Sequence, residues 1–160
     1  MGERMKFPIL ALNNRRRGER GQSLLELALV LPLLMMIAFG VIELGRAYYQ
    51  YNTLSKAVRD GARYMSYHIY STAEETKCEN MVVYGNSAAT GAPILPGLTT
   101  AKVQMVSSGG ITPYTELTPP KYVTMRINAF PYTPIMPFMN FNLSFSPECT
   151  MLYVGPGSKL

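Results

Sequence analysis

The chain has no tryptophan, a single histidine (His68) and only two cysteines, Cys78 and Cys149. One imidazole and two thiols 71 positions apart, with no CxxC pair, are too few donors at too wide a spacing for a metal centre. No GxSxG elbow and no glycine-rich phosphate loop occurs, so nothing supplies a nucleophile with its base or a nucleotide cradle. The sequence is therefore not read as an enzyme, and neither a cofactor nor a metal is expected. Charge is also scarce over the body of the chain. Residues 1–21 hold six Lys/Arg against Glu3 and Glu19, so +4 of the total +5 belongs to this short leader. The other 139 residues carry a net of only +1, without the basic face a nucleic-acid-binding domain needs. No nucleic acid is expected among the partners.

What the sequence does have is a long apolar run. Leu24 to Ile42 is 19 residues with Glu26 as the sole charge. At 1.5 Å per residue a helix of that length covers about 28 Å, close to the thickness of a bilayer's hydrocarbon core. The basic run precedes it, which puts the N-terminus in the cytoplasm and the C-terminal part outside. Pro32 lies within the span and removes one backbone hydrogen bond there. Glu43, at the far end of the run, stands where a charge is expected.

The helical pattern continues past the span. Ala47, Tyr51, Leu54, Val58, Ala62, Met65 and Ile69 recur every three or four residues, while Arg46, Gln50, Asn52, Lys56, Arg59 and Arg63 occupy much of the remaining surface. This is one apolar stripe on an otherwise polar helix. One helix is expected from about Gln22 to about Tyr70, apolar all round at first and amphipathic later. Its stripe must be covered, either by the C-terminal part of the chain or by neighbouring subunits. Tyr48, Tyr49 and Tyr51 read as an aromatic belt at the membrane surface, or as a contact surface in a fibre.

Beyond Tyr70 the composition changes. The segment STAEETKCEN is polar, and YGNSAATGAPILPG reads as loop. AKVQMVSS and KYVTMRINAF alternate as strands, the second burying Val123, Met125, Ile127 and Ala129. PYTPIMPFM has too many prolines for a central strand. FNLSFSPECTMLYVG alternates through Phe141, Leu143 and Phe145 and then runs from Thr150 to Val154. A small antiparallel sheet of three or four strands is expected beside the outer helix. Outside the cytoplasm, a Cys78–Cys149 disulfide is the natural reading, with two unrelated buried thiols as the alternative.

The stretch RGQSLLELALVLPLLMMIAFGVIELGRAYYQYNTLSKAVRDGARYM resembles the N-terminal region of TadE-like pseudopilins, minor subunits of the Tad/Flp branch of type IV pili. The basic leader, Gly21, and Glu26 at the fifth position after it are similar to the site cut by prepilin peptidases. GARY at Gly61–Tyr64 and YVTMRINAFPYTPIMPFM also resemble that family. Leu27 stands where many members carry an aromatic residue. The resemblance implies a pilin-like α+β fold with four parts: leader 1–21, transmembrane half 22–44, amphipathic outer half 45–70, and a loop-rich small β domain 71–160. It implies cleavage between Gly21 and Gln22, after which Glu26 meets the new α-amino group of a neighbouring subunit.

The partners so implied are a prepilin peptidase, other pilin or pseudopilin subunits, the inner-membrane assembly platform and the lipid bilayer. The chain would sit in the bacterial inner membrane with its C-terminal domain periplasmic, and would enter a pilus serving adhesion or secretion. Gly40 and Gly45 serve either close helix packing between subunits or nothing beyond ordinary membrane-helix composition. Two other classes fit less of the chain. One is an uncleaved single-pass adaptor with an extracytoplasmic partner-binding domain. The other is a secreted enzyme behind a signal peptide, for which the apolar run is too long and Ala38–Gly40 a poor cleavage site.

Overall fold

A computed structural model describes residues 15–109, 114–135 and 142–156, with side chains from Gly21 onward. The leader up to residue 14, residues 110–113 and residues 136–141, with Phe141 and much of PYTPIMPFM, lie outside the described residues. The elements are α1 (Arg15–Tyr67), α2 (Thr72–Tyr84), a 3-10 turn at Thr100–Lys102, β1 (Val103–Ser108), β2 (Tyr122–Ile127), β3 (Phe130–Pro131), β4 (Ser144–Phe145) and β5 (Glu148–Leu152). This is the expected α+β composition, a long N-terminal helix and a small antiparallel sheet. The chain divides into two units, Met1–Ile42 and Glu43–Leu160.

In the first unit α1 has nothing of the chain to pack on. None of residues 21–42 is buried, and leucines such as Leu24, Leu29 and Leu33 are more than half exposed. This is the one helix among the described residues long and apolar enough to cross a membrane. Pro32 lies inside it without ending it.

The second unit contains the core. Leu54, Val58, Ala62 and Met65 of α1 are fully buried, four of the seven expected stripe positions. Leu54, Val58 and Met65 each contribute on the order of 1.5–3 kcal/mol by leaving water, and Ala62 less. Ala47 is half-buried against the core, whereas Tyr51 is partly exposed and Ile69 falls beyond the helix end. The stripe is met by Val103 and Met105 of β1 and by Val123, Met125 and Ile127 of β2. Alternation within β2 matches the expected face, except that Ala129 lies past the strand with a positive φ of 44°.

The main sheet is antiparallel in the order β1-β2-β5, with Met105 opposite Met125 and Met125 opposite Cys149. β3 and β4 form a separate two-stranded ribbon, pairing Phe130 with Phe145. Pro131 fits that marginal position.

The polar segment after Tyr70, to which the sequence reading gave no element, forms helix α2. Ser71, in extended conformation, accepts a hydrogen bond from the Glu74 amide at 3.3 Å, and Glu74 and Glu75 occupy the first turn. That cap and the helix dipole favour the start. At the other end Gly85 takes φ 73° and donates its amide to Met81 O at 3.0 Å, a left-handed stop that glycine adopts without strain. Cys78, Val82 and Val83 turn inward to the core.

Candidate functional site

At the N-terminal end of α1, Gln22 and Glu26 are one helical turn apart, and the Gln22 side-chain amide donates to Glu26 Oε1 at 3.4 Å. Both are exposed, as is Gly21. A Cβ added at Gly21, Gly40 or Gly45 would meet nothing within 4 Å, so none of them is a packing contact inside this chain. Farther along α1, Gly61 is such a contact. A Cβ there would come within 2.4 Å of Val82 Cγ2, so α1 and α2 cross at a distance only glycine permits.

Near the crossing, the Tyr64 hydroxyl donates to Glu74 Oε2 at 2.8 Å, and Lys77 pairs with Glu74 Oε1 at 2.6 Å. The lysine first, then the tyrosine, holds the Glu74 carboxyl below its usual range. Burial and the Glu74 carboxylate push the Tyr64 phenol up to about 12. The Tyr64 ring stacks on His68, 3.8 Å between centroids, so the lone histidine is a ring partner at the end of α1.

The two cysteines are free thiols, so the expected disulfide is not present. Cys78 is committed elsewhere: its Sγ donates to Gly61 O at 3.0 Å and lies 3.5 Å from Met125 Sδ. Burial pushes its thiol up to about 12. Cys149 is half-buried opposite Met125 on the neighbouring strand. Among the described residues no group of His, Cys, Asp and Glu is placed to hold a metal ion.

The most elaborate polar arrangement surrounds Glu43, which the sequence reading took for an ordinary charge at the end of the apolar run. Its residue is only 5% exposed. Oε1 accepts from the Tyr132 hydroxyl at 2.5 Å, from the Ile135 amide at 3.2 Å and from Arg46 Nη2 at 3.1 Å. Arg46 also donates to the Thr133 carbonyl, and its guanidinium lies 5.2 Å from the centre of the Tyr132 ring. A carboxylate can be buried only when donors replace its water, and here three do so. Arg46 is local, but Tyr132 and Ile135 come from 89 and 92 positions away, so no local pattern announces them. The clamp fastens the segment leaving β3 to the residue that directly follows Ile42. Beside it, Phe145 of β4 packs edge-on to Tyr51 at 5.7 Å and tilted to Tyr132 at 5.7 Å. Tyr48 and Tyr49 remain exposed.

This geometry extends along one helix: an exposed carboxylate near its start, a buried one at its middle, and a glycine crossing farther on. Residues 21–63, from Gly21 through the crossing, match the family model described as TadE-like protein. Over this stretch the N-terminal helix is similar to that of TadE-like proteins. The family belongs to Tad pilus systems, and one apolar N-terminal helix fits a single-pass membrane protein of such a system. The TadE-like segment holds Gly21, Gln22, Glu26, Gly40, Glu43, Gly45, Arg46 and Gly61, but not Tyr132, which completes the clamp. No curated protein and no solved structure matches the chain.

Proposed function

We propose that the chain is a minor pilin, or pseudopilin, of a Tad-type pilus. It inserts in the inner membrane with its basic leader in the cytoplasm and its C-terminal domain in the periplasm. A prepilin peptidase cuts it between Gly21 and Gln22, and the mature subunit then takes part in assembling a pilus for adhesion or secretion. Its partners are other pilin or pseudopilin subunits and the inner-membrane assembly platform.

The observation that carries this reading is a TadE-like helix whose first 22 residues from Gly21 find no cover within the chain. Lipid covers such a helix first, and neighbouring helices cover it in a fibre. Cleavage would give Gln22 an α-amino group at i to the Glu26 carboxylate at i+4. In a low-dielectric surrounding an isolated charge is costly, and pairing Glu26 with a neighbour's terminal amine lowers that cost and fixes the axial register between subunits.

Co-expression with a prepilin peptidase followed by mass spectrometry of the N-terminus tests the reading. The expected product begins at Gln22. An intact leader, with the peptidase active on a control substrate, overturns it in favour of an uncleaved single-pass adaptor.

A further inference from the structure

A membrane protein's extracytoplasmic domain ordinarily presents charge to its surroundings, yet from Ile127 to Pro147 this chain has no charged residue, only Arg126 and Glu148 on either side. The stretch also holds four of the six phenylalanines: Phe130, Phe138, Phe141 and Phe145. Residues 80–101 are equally uncharged, but there Leu95 and Leu98 are buried in the core. In the β3–β4 ribbon and its flanks the large side chains divide instead. Phe130, Tyr132 and Phe145 are buried, while Ile135 is 67% and Leu143 46% exposed. Tyr132 N bonds Leu143 O at 2.8 Å, which holds the two flanks of the ribbon together.

The clamp fixes where this exposed apolar surface lies along the chain. The Ile135 amide is bonded to Glu43, the first residue after the apolar run that ends at Ile42. Leu44, next along, is 75% exposed. A residue at that point of a spanning helix stands at the boundary between acyl chains and headgroups. Apolar side chains are favoured there, and exposed tyrosines such as Tyr48 and Tyr49 are the usual company.

We propose that the β3–β4 ribbon, through Ile135 and Leu143, contacts lipid in the leaflet from which the helix emerges, giving the domain a second membrane contact besides α1. The occupant is the bilayer because residues 127–147 carry no charge and the Ile135 amide is bonded to Glu43, the residue that follows the apolar run. Glu43 is then the positioning residue: buried by Tyr132, Arg46 and the Ile135 amide, it holds the ribbon at the membrane surface. The proposal rests on α1 crossing the membrane, as in the proposed function, but is independent of leader cleavage.

The test uses the full chain in nanodiscs of phosphatidylethanolamine and phosphatidylglycerol with brominated acyl chains. The background is Cys149→Ser, since Cys78 is buried with its thiol protonated. A bimane label is placed by Ile135→Cys, by Ile37→Cys in the span, or by Leu117→Cys, whose side chain is 88% exposed. Ile135→Cys keeps the backbone amide that Glu43 holds. Brominated lipid should quench the label at residue 37 strongly, at 135 roughly half as strongly, as suits an interfacial depth, and at 117 hardly at all. Quenching at 37 with none at 135, where aqueous iodide quenches instead, overturns the ribbon contact and leaves the membrane reading standing. Protection at 135 from both quenchers assigns the surface to a second copy or another protein and also overturns it. Absence of quenching at 37 removes both readings together.

Discussion

The two halves of α1 have the same backbone and opposite surroundings. Residues 21–42 are apolar on every face and none is buried, whereas the segment from Glu43 onward buries one stripe and leaves charged residues such as Lys56, Arg59 and Arg63 outside. An all-round apolar surface cannot be satisfied by one domain on one side, but a single stripe can. The inner half is therefore built for surroundings outside the chain, and the outer half for its own sheet and α2.

The difference sets what substitutions should do, starting with the largest effect. Leu54→Ala, at a fully buried stripe position, should cost about 2–5 kcal/mol in urea unfolding of the detergent-solubilised protein followed by circular dichroism. An effect near zero would mean that the sheet does not cover the stripe. Gly61→Ala drives a methyl into Val82 and should cost about 1–3 kcal/mol in the same assay. Gly45→Ala, with open space around its Cβ, should leave stability unchanged.

High pH should also loosen the outer half. The Cys78 thiol is raised by burial from an ordinary value of 9.0 to about 12, so the folded state keeps a proton that the unfolded state gives up. Its contribution is complete below about pH 9 and is lost as pH climbs toward about 12. Unfolding midpoints measured over that range should fall, and less steeply in Cys78→Ala.

Tyr132→Phe takes one donor from Glu43 while leaving the ring in place. Hydrogen exchange should quicken at the Ile135 amide, and the unfolding midpoint should fall by less than in Leu54→Ala. Unchanged exchange there would mean that Arg46 and the amide alone hold the clamp. The smallest effect is expected from Leu29→Ala, exposed in the inner half, which should leave domain stability within about 0.5 kcal/mol.

Much of this contrast was legible in the sequence, because period and composition carry it. The apolar run, the recurrence of Leu54, Val58, Ala62 and Met65, and the alternation of Val123, Met125 and Ile127 are local patterns that burial enforces. Helix α2 was legible too, in the Ser71-x-x-Glu74 start and the Gly85 stop, but its polar composition drew attention away from those caps. Glu43 was not legible. Its partners Tyr132 and Ile135 arrive from the far end of the chain, and a carboxylate at a membrane edge looks ordinary until tertiary contacts bury it. The cysteines misled for a related reason: their number suggests a pair, while the α1–α2 crossing gives Cys78 the Gly61 carbonyl as its partner.

The most direct test places a photo-crosslinking amino acid at Leu29 or at Lys56 in cells assembling the pilus. Leu29 should capture other pilin subunits, with the adducts vanishing when the assembly platform is deleted, and Lys56 should capture far fewer. Equal capture at the two positions would contradict the division of α1 into a half covered from outside the chain and a half covered by its own domain, and lipid adducts alone at Leu29 would contradict its assembly with other subunits.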